Sequence, residues 1–350
     1  MNTVVNGRVI YKAIPHGYPE PGKTVVYDAT QAVDLDGVPL GGGILVKTLV
    51  LAISPYMRGK MRPAHIKSYT PPYDLNEPLY GYGVGVVLRS EDPGFKKGDH
   101  VFTENLRHEE YTVIQNPNDC EIVFNDVGLP WPIYVTAAGM PGMTAYMGWK
   151  EFSHAKKGDV VFVTIGAGAV GRQVPHAIDL VIQLAKLDGL EVISSAGSDA
   201  KVEYIRSLGA DVAFNHKTTD TASILAEHGP INIFWDGVGG DTLDAALKAA
   251  DFGARFIECG MISGYNGGFI PIKNIHMVMT KSISMTGFQV INLIPNHLAN
   301  FRHEFPDLLA KGALKFRVQI MEGLDQVGEA LMAVQKGLNT APVVVRVAQE

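Results

Sequence analysis

Apolar positions along the chain fall into two textures, and the change comes near residue 137. Before it, short β-branched runs are separated by glycine, proline and charged turns. GILVKTLVLAI (Gly43–Ile53), GYGVGVVLRS (Gly81–Ser90), DHVFTE (Asp99–Glu104) and EYTVI (Glu110–Ile114) have the length and residue types of strands, and PGFKKGDHV supplies turn chemistry feeding one of them. This part is expected to be mostly β. After it, VVFVTIG, LEVISSAGS, ADVAFNH, INIFWDGVGG, ARFIECGM and ISMTGFQV are apolar runs of strand length. Helix-like stretches lie among them at Val181–Leu187, Asp199–Leu208, Thr221–Glu227 and Asp241–Ala250. Strands alternating with helices predict an α/β fold with a doubly wound parallel sheet. The stretch KFRVQIMEGLDQVGEALMAVQKG, followed by APVVVRVA, returns to strand, helix, strand, and its terminal strand can rejoin the first part. The chain has no internal repeat and no low-complexity segment.

Composition narrows the class. A length of 350 residues suggests two domains with a core each. Apolar residues make up 46% and charged residues 19%, an ordinary globular balance. The net charge of -6 speaks against nucleic acid as a partner. No apolar run is long enough to predict a membrane span, and the N-terminal MNTVVNGRVIYK lacks the apolar core of a signal peptide. Cys120 and Cys259 are the only cysteines, too few for a disulfide framework or a zinc cluster, so a reducing, cytoplasmic setting is expected.

The strand VVFVT runs into Gly166, Gly168 and Gly171, spaced G-x-G-x-x-G with Ala169 and Val170 between the last two. Alone the pattern is weak, and a glycine turn without a ligand would look the same. Its context is a strand before, a helical segment after, and a second strand ending near Ser195. Glycines there permit a tight turn and close backbone approach, and the helix N-terminus offers unpaired N–H groups to a pyrophosphate. An NAD site carries Asp or Glu at the end of the second strand, for the ribose hydroxyls. Here that end reads Ser194, Ser195, Ala196, Gly197, Ser198, with Asp199 one step further and Lys201 beyond. The missing acid, and a lysine able to pair with a 2′-phosphate as a point charge, predict NADPH/NADP+ as cofactor, with Ser198 and Lys201 at that end. A solvated helix lysine is the plainer reading of Lys201.

GMPGMTAY (Gly139–Tyr146), GAGAVG, SAGSDAKVEYIRSLGAD (Ser195–Asp211), DGVGG (Asp236–Gly240), CGMISGYN (Cys259–Asn266), SPYMRGKM (Ser54–Met61) and GYGVGVVL stand in the order found in zinc-independent medium-chain dehydrogenases/reductases. Nearly the whole chain resembles one branch, the NADPH-dependent alkenal double-bond reductases with the leukotriene B4 dehydrogenase/prostaglandin reductase group. The resemblance implies a mostly-β GroES-like catalytic domain from residues 1–135 and 314–350, around a Rossmann dinucleotide-binding domain at 136–313. It implies a homodimer and a small-molecule α,β-unsaturated carbonyl substrate. By position it places Lys201 at the 2′-phosphate, His216 where a tyrosine is common, Asn339 near the cofactor, and Thr144 with Gly168 along the pyrophosphate. Gly239, Cys259 and Phe288 are assigned to the cofactor as well. Tyr265 matches the active-site tyrosine and Tyr56 a pocket tyrosine. Gly237 stands where the family has Asn, and Ala341-Pro342 where Gly-Lys is usual.

Zinc enzymes of this superfold need a cysteine near SPYMRG and a histidine in a Gly-His-Glu strand; this chain has Ser54 and Gly81–Gly83 there. HEEY (His108–Tyr111) lacks the second histidine of a zinc motif and reads as a solvated charged edge. No metal is expected. The chemistry implied is hydride transfer to the β-carbon of an enal or enone, with the negative charge on oxygen met by a neutral phenol, Tyr265 first and Tyr56 second. A quinone reductase, a prostaglandin-type dehydrogenase and a non-catalytic NADPH-binding protein are the alternatives. Against the family's spacing, GRQVPHAIDLVIQLAKL is about seven residues longer, close to two helical turns, and Gln173–Asp179 fits as the insert. Pro175 has no N–H and its ring would clash with the Gly171 carbonyl in a continuous helix. A break around Gln173–His176 and a helix resuming near Pro175 are expected, with weaker NADPH binding as the consequence.

Overall fold

The computed structural model describes residues 2–164, 178–266 and 268–350. The glycine turn and the expected break at Gln173–His176 lie outside the described residues. The chain divides into two compact units, the first from residues 1–136, 318–335 and 342–350, the second from 137–317 and 336–341.

The first unit is built on a seven-stranded sheet in the order Gln319–Glu322, Val343–Arg346, Ile44–Ile53, Tyr80–Ser90, His100–Arg107, Glu121–Ile122, with Tyr111–Ile114 also paired to Ile44–Ile53. The chain's last strand does return here: Val343 pairs with Ile53 and Arg346 with Val50, antiparallel. Ile44–Ile53 carries β-branched and leucine side chains at almost every position and is buried on both faces, because the helix Val327–Lys336 and the neighbouring loops cover what one sheet face alone would leave wet. The apolar cluster joins Val46, Leu51 and Leu106 of the strands, and Leu79 just before one, to Val327 and Leu331 of that helix. Two short two-stranded antiparallel sheets, Thr3–Val5 with Ala32–Asp34 and Arg8–Tyr11 with Val25–Asp28, belong to the unit. His108 and Glu109 correct an expectation. They are 0% and 7% exposed, not a solvated edge, because His108 N–H donates to Leu79 O and His108 O accepts from Val9 N–H, stitching this segment between strands distant in sequence.

The second unit holds a six-stranded sheet, all parallel, in the order Val212–Asn215, Glu191–Ala196, Val160–Thr164, Ile231–Asp236, Ala250–Glu258, Ser284–Gly287. Each predicted run became one of these strands. Phe162, Phe234 and Phe256 sit on three adjacent central strands, ring centroids 5.3 and 5.1 Å apart, and Leu243 and Leu247 of the helix Gly240–Ala249 close over the same core. The order runs outward one way from Val160–Thr164 to Val212–Asn215, then reverses at Ile231–Asp236. That reversal opens a crevice at the carboxyl ends of the strands, the place where sheets of this kind bind dinucleotides. Two helices escaped the sequence pattern, Met140–Phe152 and Ile294–Ala310.

Candidate active site

At the crevice of the second unit, the carboxyl end of Ile231–Asp236 is organised by Asp236, which is fully buried. Its Oδ1 accepts from Val238 N–H at 2.7 Å and Gly239 N–H at 3.0 Å, and from the Thr164 hydroxyl at 3.2 Å. Thr164 Oγ1 in turn accepts from Gly237 N–H. The turn closes through Gly239 at φ 72°, a left-handed conformation suited to glycine, and an added Cβ there would lie 3.0 Å from Met261. Glu258, at the end of the next strand, shares this ground. Burial and the neighbouring Asp236 push its carboxyl up to about 9, and burial raises Asp236 too, so one proton stays with the pair at neutral pH. The same burial and the two carboxyls push the Cys259 thiol up to about 12, which keeps it protonated and a poor nucleophile.

Tyr265 stands in this neighbourhood. Cys259 and Gly260 N–H both donate to Asp236 O, Ile262 N–H to Gly237 O, and the Ser263 hydroxyl to Val238 O at 2.6 Å, so residues 259–265 are laced to the Asp236 turn. The Tyr265 hydroxyl lies over Gly260, 3.4 Å from where a Cβ would stand. The structure thus brings Gly239, Cys259 and Tyr265 together.

A second group gathers at the end of Glu191–Ala196. Ser198 is the N-cap of the helix Asp199–Ser207, and no side-chain cap bond engages its hydroxyl. Lys201 Nζ is buried in the first turn of that helix. His216 N–H donates to Ala196 O, its Nε2 is buried without a hydrogen-bond partner, and burial followed by the Lys217 charge lowers its pKa. It is therefore neutral at pH 7. Asp179, in the first turn of Ile178–Leu187, faces the same group. It is 4% exposed, and burial pushes its carboxyl up to about 7 against the pull of Arg317 and Lys201. Arg317 lies on the ring of Tyr204, 3.9 Å from its centroid. Asp179, Tyr204 and Arg317 carried no signal in the sequence; only the fold collects residues so far apart.

The remaining positions stand separately. The Thr144 hydroxyl donates to Met140 O at 2.8 Å within its own helix. Phe288 packs edge-on to Trp235 and fills the space above Gly148, where a Cβ would meet its ring at 2.5 Å. Asn339 is 1% exposed; its Nδ2 donates to Ala341 O, and its Oδ1 has no hydrogen-bond partner. Gly166, Gly168, Ala169, Val170 and Gly171 lie outside the described residues. A dinucleotide fits what is described: buried polar atoms of Asn339 and His216 await a partner, Ser198 has a free cap position, and the Asp236–Gly239 turn sits at the sheet's reversal.

In the first unit Tyr56 belongs to an aromatic group. Its ring meets Tyr82 edge-on at 6.1 Å, and the Tyr82 hydroxyl donates to Glu104 Oε2 at 2.9 Å. Lys60 is 5% exposed, its ammonium 3.6 Å from the ring centroid of Tyr80 and 5.0 Å from that of Tyr73. Burial lowers Lys60 to about 8, with Arg62 adding to the shift and Glu104 opposing it. The sequence reading passed over Lys60, Tyr82 and Glu104. SPYMRGKM contains the first of these, but nothing in the motif shows that the lysine is buried. Among the described residues no group of three or more His, Cys, Asp or Glu could hold a metal ion, and no helix is long and apolar enough to cross a membrane.

The family described as "N-terminal domain of oxidoreductase" matches residues 8–123, and "Zinc-binding dehydrogenase" matches residues 179–311. The chain is 36% identical over 356 residues to a 2-alkenal reductase (NADP(+)-dependent) of Nicotiana tabacum, covering 99% of both. It is 36% identical to (+)-pulegone reductase of Mentha piperita, covering 88% of this chain and 89% of that one. The crystal structure of CurA in complex with NADPH from Vibrio vulnificus superposes with a TM-score of 0.85 at 28% identity, covering 98% of this chain and 100% of that chain. The protein belongs to the medium-chain dehydrogenase/reductase superfamily, in its branch of NADP-dependent, zinc-independent double-bond reductases. Its cofactor is NADPH/NADP+.

Proposed function

We propose that the protein reduces the C=C bond of α,β-unsaturated aldehydes and ketones. The observation that carries this reading is the Tyr265 hydroxyl, held over Gly260 beside the Asp236 turn at the sheet's reversal. The names of the tobacco and mint relatives support the same substrate class. Bound NADPH supplies the hydride that adds to the β-carbon. Tyr265, a neutral phenol, donates a hydrogen bond to the carbonyl oxygen as charge moves onto it, with Tyr56 as the second candidate donor. Lys201, Ser198 and His216 hold the 2′-phosphate end, and Asn339, Thr144 and the 166–171 turn the rest of the dinucleotide, with Gly239, Cys259 and Phe288 beside it. On this reading residues 136–313 form the dinucleotide-binding domain and residues 1–135 with 314–350 the catalytic one, and the protein is a cytoplasmic homodimer.

The test is NADPH oxidation across a panel of enals, enones and quinones, with NADH as control. Turnover is expected with enals and enones and with NADPH far above NADH. Turnover of quinones alone would move the assignment to a quinone reductase. Tight NADPH binding with no turnover on any of them would make the protein a binder.

A further inference from the structure

Glu258 is a buried acid that the reaction above does not use. It ends the strand Ala250–Glu258 and stands opposite Asp236 in the parallel pairing of that strand with Ile231–Asp236. Both its side-chain oxygens are buried, and among the described residues no amide or hydroxyl donates to either. A carboxylate there would forfeit its hydration and recover nothing, so Glu258 keeps its proton. Asp236 is the reverse case. The Val238 and Gly239 amides and the Thr164 hydroxyl donate to it, and hydrogen bonding from Glu258 joins them in opposing the rise that burial causes. The proton of the pair therefore sits on Glu258 and the charge on Asp236.

Few other charges face this pair. On the far side of Glu258 the ladder partner is Gly287, which has no side chain. The helix Met140–Phe152 packs on the same strand, but its Glu151 is engaged by His297 at 2.6 Å and its Lys150 lies over the ring of Tyr146. Arg255, earlier on the strand, is held by Asp159 and Ser153 O. Cys259 and Tyr265 are the titratable groups of the segment that follows, and the thiol stays protonated beside the two carboxyls.

That segment hangs on the Asp236 turn. Cys259 N–H and Gly260 N–H donate to Asp236 O at 2.9 and 3.1 Å, Ile262 N–H to Gly237 O at 3.3 Å and Ser263 N–H to Val238 O at 3.2 Å. Every acceptor belongs to the stretch that the Asp236 carboxylate ties together. Glu258 immediately precedes Cys259, so strand end, turn and segment meet at this one acid. A second negative charge there would set two carboxylates against each other across adjacent strands, at the root of the segment.

We propose that Glu258 is the positioning residue for Tyr265: its protonated carboxyl spares the Asp236 turn a second charge and so keeps residues 259–265, with the Tyr265 hydroxyl over Gly260, in place. The part played by Tyr265 in the reaction rests on the reductase reading above; the hold on the segment does not. Because the Glu258 pKa is raised, to about 9, the hold is complete below that pH and is lost as pH rises through it.

The test is amide hydrogen exchange of the whole protein at pH 7 and pH 10, corrected for the faster intrinsic exchange in base. In wild type, residues 256–266 are expected to lose protection by roughly tenfold at pH 10, one unit above the folded pKa, while Val160–Thr164 keeps its own. Glu258→Gln, neutral at every pH and still a donor, should keep the protection of 256–266 at pH 10. Tyr265→Phe should lose it as wild type does, since the phenol is not the trigger. The alkaline fall of kcat should begin at lower pH in wild type than in Glu258→Gln. If Glu258→Gln does not fold, wild type alone carries the test, because the loss must be confined to 256–266 and appear near pH 9. Selective loss of protection together with a kcat that ignores Tyr265→Phe would sink the reading of Tyr265 and leave the hold by Glu258 standing. Protection of 256–266 that persists to pH 10, a loss spread evenly over the sheet, or a loss that Glu258→Gln shares would overturn the proposal.

Discussion

Two buried polar clusters, one in each unit, solve the same problem in opposite ways. Asp236 in the second unit is an acid whose oxygens are met by the Val238 and Gly239 amides and the Thr164 hydroxyl. His108 in the first unit is a base whose nitrogens are met by nothing in the protein. A buried group satisfied from within holds its own turn in shape; one left unsatisfied carries the cost of its lost hydration. The same contrast runs through their titration. The buried acids Glu258 and Asp179 are pushed up to about 9 and about 7, whereas the buried bases His108 and Lys60 are pushed down to about 3 and about 8.

The contrast is broken most heavily at Asp236. Asp236→Ala strips the acceptor from the Val238 and Gly239 amides and the Thr164 hydroxyl, each worth ~1–3 kcal/mol when left buried and unpaired. The thermal midpoint is expected to fall by roughly 5–10 °C in a melting experiment; an unchanged midpoint would mean that water readily replaces the carboxylate. Next in size is Tyr265→Phe, which deletes one donor and keeps the ring. A fall of ~10²–10³ in kcat is expected with the midpoint unmoved. Measured beside Tyr56→Phe, it reports which unit's phenol the reaction leans on. Lys201→Ala should weaken NADPH by about 10-fold or more, the scale of a charge-assisted hydrogen bond, and leave NADH nearly as it was. Equal losses for both cofactors would remove Lys201 from the 2′-phosphate.

The smallest effect is a slope. Glu258 in the folded state holds its proton from the ordinary carboxylate range up to about 9, so between those limits the folded protein binds more protons than the unfolded chain. Its contribution to stability is complete below the unfolded pKa and is lost as pH rises through the folded one. His108 runs the other way. Its pKa falls from 6.5 to about 3, the unfolded chain binds the extra proton, and stability is lost as pH drops through that window. Glu258→Gln should therefore flatten the decline of the thermal midpoint between pH 6 and 9 and leave the acid limb alone. A variant that instead changes the acid limb would assign the alkaline loss to other groups.

What the sequence disclosed followed the same division. The second unit's six strands were legible because a parallel strand buried on both faces is an unbroken apolar run. The helices Met140–Phe152 and Ile294–Ala310 were not. Pro141, Gly142 and Gly148 in the first, and Pro295 and Pro306 in the second, read as turns, yet Pro141 and Pro295 stand in first turns, where Pro is tolerated, the glycines make room for Phe301 and Phe288, and Pro306 is carried inside its helix. Tyr265, Lys201 and Asn339 could be singled out because they stand in long motifs. His108 could not, since HEEY looks like a charged edge until Leu79 and Val9 draw its backbone between strands. Burial of that kind is set by pairing across the sheet, which leaves no local trace.

The return of Val343–Arg346 to Ile44–Ile53 carries a consequence for how the protein is made. On the ribosome the Ile44–Ile53 strand emerges early and Tyr111–Ile114 can pair its first half, Ile44–Lys47, but Val50–Ile53 waits for a partner that is synthesised only after the whole run from residue 137 to 317. Through that interval the strand presents unpaired backbone groups on an apolar ribbon, the kind of edge that recruits other chains. The second unit's sheet, whose strands all lie between Val160 and Gly287, can meanwhile close. A chain made only as far as residue 317 therefore holds every strand of the second unit's parallel sheet but lacks two of the first unit's, Gln319–Glu322 and Val343–Arg346.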